Sequence, residues 1–181
     1  SIVDHSIHLL STRTGTRVVA ACAAYGTPKD RKRICKSLKG YTTSSLLHKD
    51  AYLALLRLVQ VTDDTISINK SVFNEILTAP KDESNENPAN PLLQLALSET
   101  GSKLFLMLLV EDDEARSKYF DPYERSILEA VTMVRENGQD VPTSKKDPAA
   151  RRQELVKFLE SSLEELCTSH TMELLKSLPG S

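Results

Sequence analysis

An all-α fold, built as a superhelix of stacked helical repeats, is predicted by three observations. Apolar residues recur at helical spacing nearly everywhere, in segments of roughly 10 to 18 residues broken by turn chemistry. Aromatics are only 5% of the chain, Trp is absent, and six glycines leave little material for hairpin turns, so an all-β fold is disfavoured. Three segments also align with one another: TGTRVVAACAAYG from Thr14, KDAYLALLRLVQV from Lys49 and TGSKLFLMLLVED from Thr100. Helix groups recurring at such spacings are the mark of solenoids.

The first helix is expected over about Ile2 to Leu10, and the second over Thr14 to Tyr25, where VVAACAA offers small side chains for close helix contact. Gly26 stops it. Thr27, Pro28 and Asp30 then supply an N-cap, a proline at the first helical position and an acid three residues past the cap, resembling a capping box. This third helix runs to about Lys39, with Gly40 as its stop, and buries Ile34, Cys35 and Leu38. Further helices are expected near 44–48, 51–61, 66–78, 91–98, 102–110, 122–136, 148–167 and 170–178. Pro122 and Pro148, each preceded by Asp, fit helix starts. Two polar stretches, 80–91 (PKDESNENPANP) and 137–147 (NGQDVPTSKKD), read as surface loops within one helical-repeat region spanning 1–181.

Length and charge narrow the function. At 181 residues the chain buries a core without staples. Cys22, Cys35 and Cys167 are odd in number and lack CxxC spacing, which fits a reducing compartment and offers neither a disulfide framework nor a zinc site. The longest apolar runs fall far short of the ~20 residues of a membrane span, so a soluble chain with no membrane partner is expected. The opening SIVDHSIHLL reads as the middle of a helix, as expected of a piece of a longer protein.

Residues 1–60 hold ten Lys and Arg against three Asp and Glu, whereas the rest holds 13 against 22. A basic third joined to an acidic remainder suits a polyanion on one face. Lys29, Arg31, Lys32, Arg33, Lys36 and Lys39 surround the apolar stripe of the third helix and are candidate phosphate contacts, with a solvated helix face as the alternative. Arg13 and Arg17 flank Gly15 at a helix start, where free amides also suit phosphate; equally, Gly15 serves a tight interhelical turn. His5, His8, His48 and His170 do not converge in sequence with a third and fourth ligand, so no metal is expected. The acidic run Glu111 to Glu114 reads as a solvated turn. No Ser/His/Asp order, P-loop or dinucleotide fingerprint is present, so neither a cofactor, a small-molecule substrate nor an enzymatic role is expected.

The segment HLLSTRTGTRVVAACAAYGTPKDRKRICKSLKGY, with VTDDT at 61–65 and SKKDPAARRQEL at 144–155, resembles the Puf-A group of Pumilio-like proteins, most densely over 5–65 and 98–155. The resemblance implies an α-solenoid of three-helix repeats of ~36 residues, here the C-terminal repeats with a CPL domain. It also implies binding of RNA or DNA with little sequence preference, in the nucleus and nucleolus. The implied partners are pre-ribosomal RNA and large-subunit (pre-60S) assembly factors or ribosomal proteins.

Pumilio repeats read bases through positions 1, 2 and 5 of a five-residue window. The matching windows are Thr16, Arg17, Ala20; Ala51, Tyr52, Leu55; and Ser102, Lys103, Leu106. Position 5 holds Ala or Leu, so the forked hydrogen bonds that tell bases apart are missing. Thr16, Arg17, Tyr52 and Lys103 join the candidate contacts, Tyr52 as a stacking residue. The competing reading is a protein–protein scaffold, with the acidic two-thirds gripping a partner and no RNA contact.

Overall fold

The computed structural model describes residues 6–78, 90–128 and 131–177. Within them the N-terminal two-thirds forms three successive helix triplets. The first comprises α1 (Ser6–Leu9), α2 (Arg13–Tyr25) and α3 (Pro28–Ser37). The second comprises α4 (Thr42–Leu46), α5 (Tyr52–Val61) and a rod of α6 (Thr65–Ile68), a π-helical turn (Asn69–Phe73) and α7 (Asn74–Leu77). The third comprises α8 (Pro91–Leu97), α9 (Ser102–Leu109) and α10 (Asp113–Ser117). After these come α11 (Pro122–Ile127), a hairpin of β1 (Met133–Glu136) and β2 (Gln139–Pro142), the long helix α12 (Pro148–Ser169) and α13 (Thr171–Lys176). The fold is the all-α helical repeat that the sequence predicts, with one added hairpin.

Local chemistry sets the boundaries. Thr12 caps α2 by accepting from the Gly15 amide at 3.0 Å. The capping box at α3 is complete: Thr27 Oγ1 accepts from the Asp30 amide, and the Asp30 carboxylate accepts from the Thr27 amide at 3.0 Å. That carboxylate also accepts from the Thr27 hydroxyl at 2.7 Å, and these bonds hold it below the usual carboxylate range. Asp121 and Glu124 repeat the motif at α11, with Pro122 at the first helical position. Glu75 reaches across from α7 to accept from the Gly40 and Thr42 amides at 2.8 and 2.7 Å, supplying the N-terminus of α4 with the cap that Tyr41 cannot.

The spine is α5. Every residue from Ala51 to Val59 is buried, because α2 packs along one side of it and α11 and α12 close over others. The small residues Ala20, Ala23 and Ala24 on α2 let the two helix axes approach. Two glycines mark equivalent places in the first and third triplets. A Cβ on Gly15 would lie 2.0 Å from the Leu9 carbonyl oxygen, and one on Gly101 would lie 2.8 Å from that of Leu95, in each case six residues upstream. Only glycine lets the second helix of a triplet press so closely on the backbone of the first.

Three expectations are corrected. The helix expected over 122–136 ends at Ile127, and residues 133–142 form an antiparallel hairpin in register Met133↔Pro142, Val134↔Val141, Arg135↔Asp140, Glu136↔Gln139. Asn137 (φ 50°) and Gly138 (φ 82°) make its two-residue turn. Positive φ at both positions is the demand that an Asn-Gly pair meets best. The loop expected over 137–147 is therefore part strand and part tether. The acidic turn at 111–114 contains the start of α10, where Asp112 accepts from the Ala115 amide at 2.6 Å. Of the loop expected at 80–91, residues 80–89 lie outside the described residues. Asn90 caps α8 through the Leu92 and Leu93 amides at 3.0 and 3.2 Å. Among the described residues no single helix is long and apolar enough to cross a membrane.

Replacing Gly15 by Ala is expected to lower unfolding free energy by about 2 kcal/mol, through overpacking against Leu9. Urea denaturation followed by circular dichroism measures it, and an unchanged midpoint would contradict the close approach.

Candidate nucleic-acid interface

On α3 four of the five cations lie apart from the apolar residues. At ~100° per residue, Lys29, Lys32, Arg33 and Lys36 fall within about a 100° arc, opposite buried Ile34, Cys35 and Leu38. Lys29, Lys32 and Lys36 are exposed, as is Lys39 just past the helix end. Arg33 is half-buried, 4.0 Å from Asp30. Burial pushes the Cys35 thiol on the opposite face up to about 12. The arc thus presents four cations to solvent from one helix, with a dry face behind them.

Arg31 is not one of them. It is only 1% exposed, and its guanidinium donates from Nε to the Ala23 carbonyl at 2.8 Å, from Nη2 to that of Ala24 at 3.2 Å and from Nη1 to that of Thr143 at 3.1 Å. Ala23 and Ala24 lie in the last turn of α2, whose carbonyls have no partner within the helix and carry its negative dipole end. The Thr143 hydroxyl donates to the same Ala24 carbonyl at 2.7 Å. Arg31 is therefore a structural bolt, and burial lowers its proton affinity without discharging it.

The bolt begins a tether that runs from 143 to 147. Ser144 Oγ donates to the Val61 carbonyl at 2.5 Å, and the Lys145 and Lys146 amides donate to Asp63 at 2.7 and 3.2 Å. Buried Arg151 pairs with the same Asp63 carboxylate at 2.8 Å and donates to the Lys146 carbonyl at 3.0 Å. Lys146 Nζ and Thr65 Oγ1 both donate to Glu154, holding its carboxyl below the usual range. This tether fixes α12 against α5 and α6.

Two of the three candidate base windows are filled by the chain itself. Tyr52 is buried, and its hydroxyl donates to Glu124 of α11, which is 1% exposed. Burial first, and then that carboxylate, push the phenol well above its ordinary range. Lys103 Nζ donates to the same Glu124 oxygen and lies 5.5 Å from the Phe120 ring centroid. Arg57, also on α5, donates to Thr132 and, at 2.6 Å, to Gln60, whose amide donates to the Leu128 carbonyl at 3.1 Å. Leu55 is fully buried.

The first window behaves differently. Thr16 is buried and its hydroxyl has no hydrogen-bond partner among the described residues, so it faces neither solvent nor ligand. Arg13 is exposed, with its Cζ 3.8 Å from the Tyr123 ring centroid of α11. Arg17 is exposed and makes no hydrogen bond or ion pair among the described residues.

Of the eleven candidates, then, the structure removes Thr16, Arg31, Tyr52 and Lys103 from the solvent-facing set. Thr16, Arg31 and Tyr52 are buried, and Lys103, partly buried, is engaged by Glu124, which sequence spacing does not reveal. Arg13, Arg17, Lys29, Lys32, Arg33, Lys36 and Lys39 remain in two groups, one on α2 and one on and just beyond α3. The sequence reading passed over Tyr25, 63% exposed two turns beyond Arg17 on the same side of α2; the i, i+4, i+8 spacing of Arg17, Ala21 and Tyr25 was the available signal. Among the described residues no three His, Cys, Asp or Glu side chains gather as a metal site. His5 lies outside them.

Residues 97–181 match the CPL (NUC119) domain. The chain is 29% identical over 175 residues to Pumilio homolog 3 of Homo sapiens, covering 97% of this chain and 24% of that protein. It is 30% identical over 144 residues to Pumilio homology domain family member 6 of Schizosaccharomyces pombe, covering 80% and 20% respectively. It thus spans about a quarter of the length of these curated relatives. The crystal structure of human Puf-A in complex with DNA superposes with a TM-score of 0.75 at 27% identity, over 94% of this chain and 30% of that one. The architecture is that of a Pumilio-like helical repeat.

Arg31→Ala is expected to cost about 3 kcal/mol, because it strands buried carbonyls at the end of α2, whereas exposed Lys32→Ala stays within about 0.5 kcal/mol. Glu124→Ala, which leaves Lys103 without its counter-charge, should cost about 3 kcal/mol, and Lys103→Met in the same chain should recover part of it. Thermal and urea unfolding of the four variants check both statements.

Proposed function

We propose that this chain, Puf-A-like along nearly its whole length and matched by the CPL domain in its C-terminal part, is a nucleic-acid-binding module. It holds RNA by the phosphate backbone with little regard to sequence. The observation that carries the reading is the α3 arc: Lys29, Lys32, Arg33 and Lys36 in register on one face, extended by exposed Lys39. Ammonium and guanidinium groups so spaced release counterions when phosphates dock, which gives affinity without a base code. Two windows where a Pumilio repeat would read bases hold α11 instead, which favours backbone contact over base readout. Human Puf-A has been crystallised with DNA, which supports nucleic acid as the class of ligand.

The finer reading is that the RNA is pre-ribosomal and that the chain acts in large-subunit assembly in the nucleolus, as a binding rather than a catalytic component. Pre-60S factors or ribosomal proteins are its proposed protein partners. A scaffold role has one observation of its own. Met172 and Leu175 of α13 are 63% and 50% exposed, and α12 and α13 also expose Glu164, Glu165 and Glu173, a more apolar and acidic stretch than α3.

The test is a fluorescence anisotropy titration of unrelated labelled RNAs at two salt concentrations, comparing the parent chain with Lys29→Glu, Lys32→Glu, Lys36→Glu. Affinity is expected to fall at least tenfold for every sequence, and the log–log salt slope to shrink by about three, one per lysine. Equal affinity and slope in parent and variant would reduce the arc to a solvated face and favour the scaffold.

A further inference from the structure

The one window left open lies in a groove that the C-terminal part of the chain completes. Its floor is the small-residue side of α2, Ala20, Ala21 and Ala24, and its opposite wall is the start of the hairpin, Val131 and Met133, with Ile127 of α11. The groove holds about 400 Å³, within the span of small-ligand clefts. Arg17 stands at one end and Tyr25 at the other, eight residues on, or ~12 Å along the helix axis. Arg57 adds a second guanidinium to the wall, and among the described residues no carboxylate lines the groove.

Its chemistry is specific in kind. Both wall residues of the hairpin are apolar and half exposed, Val131 at 53% and Met133 at 47%. Tyr25 is exposed, with no hydrogen bond, ion pair or ring contact among the described residues. The Ser126 hydroxyl donates to the Tyr123 carbonyl and the Thr132 hydroxyl accepts from Arg57, so both polar flank residues are already engaged. A flat floor without branched side chains, an aromatic face, a partly apolar flank and, among the described charged residues, cations alone suit an unstacked base with its phosphate. A peptide would require partners for its backbone amides, which a floor of alanine methyl groups does not offer.

We infer that this groove seats one unstacked base of a single-stranded nucleic acid, with Tyr25 against the face of the base and Arg17 on the adjoining phosphate. The inference rests on the nucleic-acid reading above and deepens it: α3 supplies charge that any strand or duplex can use, whereas the groove admits only a base freed from pairing. The alanine floor carries no side-chain donor or acceptor to select among bases, so the seat takes any base. The hairpin, which is not part of a helix triplet, thereby acquires a task as the groove's outer wall.

The experiment titrates fluorescein-labelled ten-nucleotide strands of uridine and of adenosine, and a ten-base-pair RNA duplex, against the parent chain, Tyr25→Ala, Tyr25→Phe and Arg17→Gln. Tyr25→Ala should weaken both single strands about tenfold, and the duplex several times less. Tyr25→Phe should recover most of that loss, and Arg17→Gln should lower the salt slope by about one. Both side chains are exposed, so melting temperatures should match the parent and separate lost binding from lost fold. Unchanged single-strand affinity in Tyr25→Ala, or an equal loss on duplex, overturns the groove while leaving the α3 reading standing whenever the lysine reversals still weaken binding. Absence of binding by the parent chain overturns both.

Discussion

The carboxylate of Glu124 is the point on which the rest of the molecule turns. It is almost wholly buried, and it accepts from the Tyr52 hydroxyl of α5, the Lys103 ammonium of α9 and, at 2.6 Å, the Asp121 amide that closes its own capping box. A charge taken so far from water is tolerated only when paired and fully hydrogen-bonded. Those donors come from two different triplets, so the requirement dictates where α11 sits. Once α11 is docked, Phe120 and Tyr123 are placed beside Lys103 and Arg13.

A second constraint acts at the far end of the same surface. Arg31 and Thr143 satisfy the last carbonyls of α2, while Asp63 collects two backbone amides and the Arg151 guanidinium. Together they stitch residue 143 to residue 31 and residue 151 to residue 63, so the acidic C-terminal portion is not a separate appendage. It is held to the repeat helices by hydrogen bonds and by the ion pair of buried Arg151 with Asp63, whose loss would leave the guanidinium without its counter-charge.

The charge asymmetry of the chain consequently has two meanings. Part of the positive charge in the first sixty residues is structural, spent on carbonyls and on neighbouring side chains by Arg31 and Arg57. The remainder, on the outward arc of α3 and at Arg13 and Arg17, is solvent-facing. That division separates the cations that hold the fold together from those whose charge is open to solvent.

Helix content, the capping box at Thr27, the proline starts at Pro122 and Pro148 and the alignment of Thr14 with Thr100 were all legible in the sequence, because each is decided within a few residues by backbone hydrogen bonding and spacing. The hairpin at 133–142 had a local signal too, in Asn137-Gly138, outweighed by the helical period around it. What no local rule carries is which charges are buried. Lys32 and Arg31 are neighbours with the same sign, yet one meets solvent and the other the end of α2. That difference depends on Thr143, more than a hundred residues away, because the energy of a charge is set by everything packed around it and not by its place in the chain.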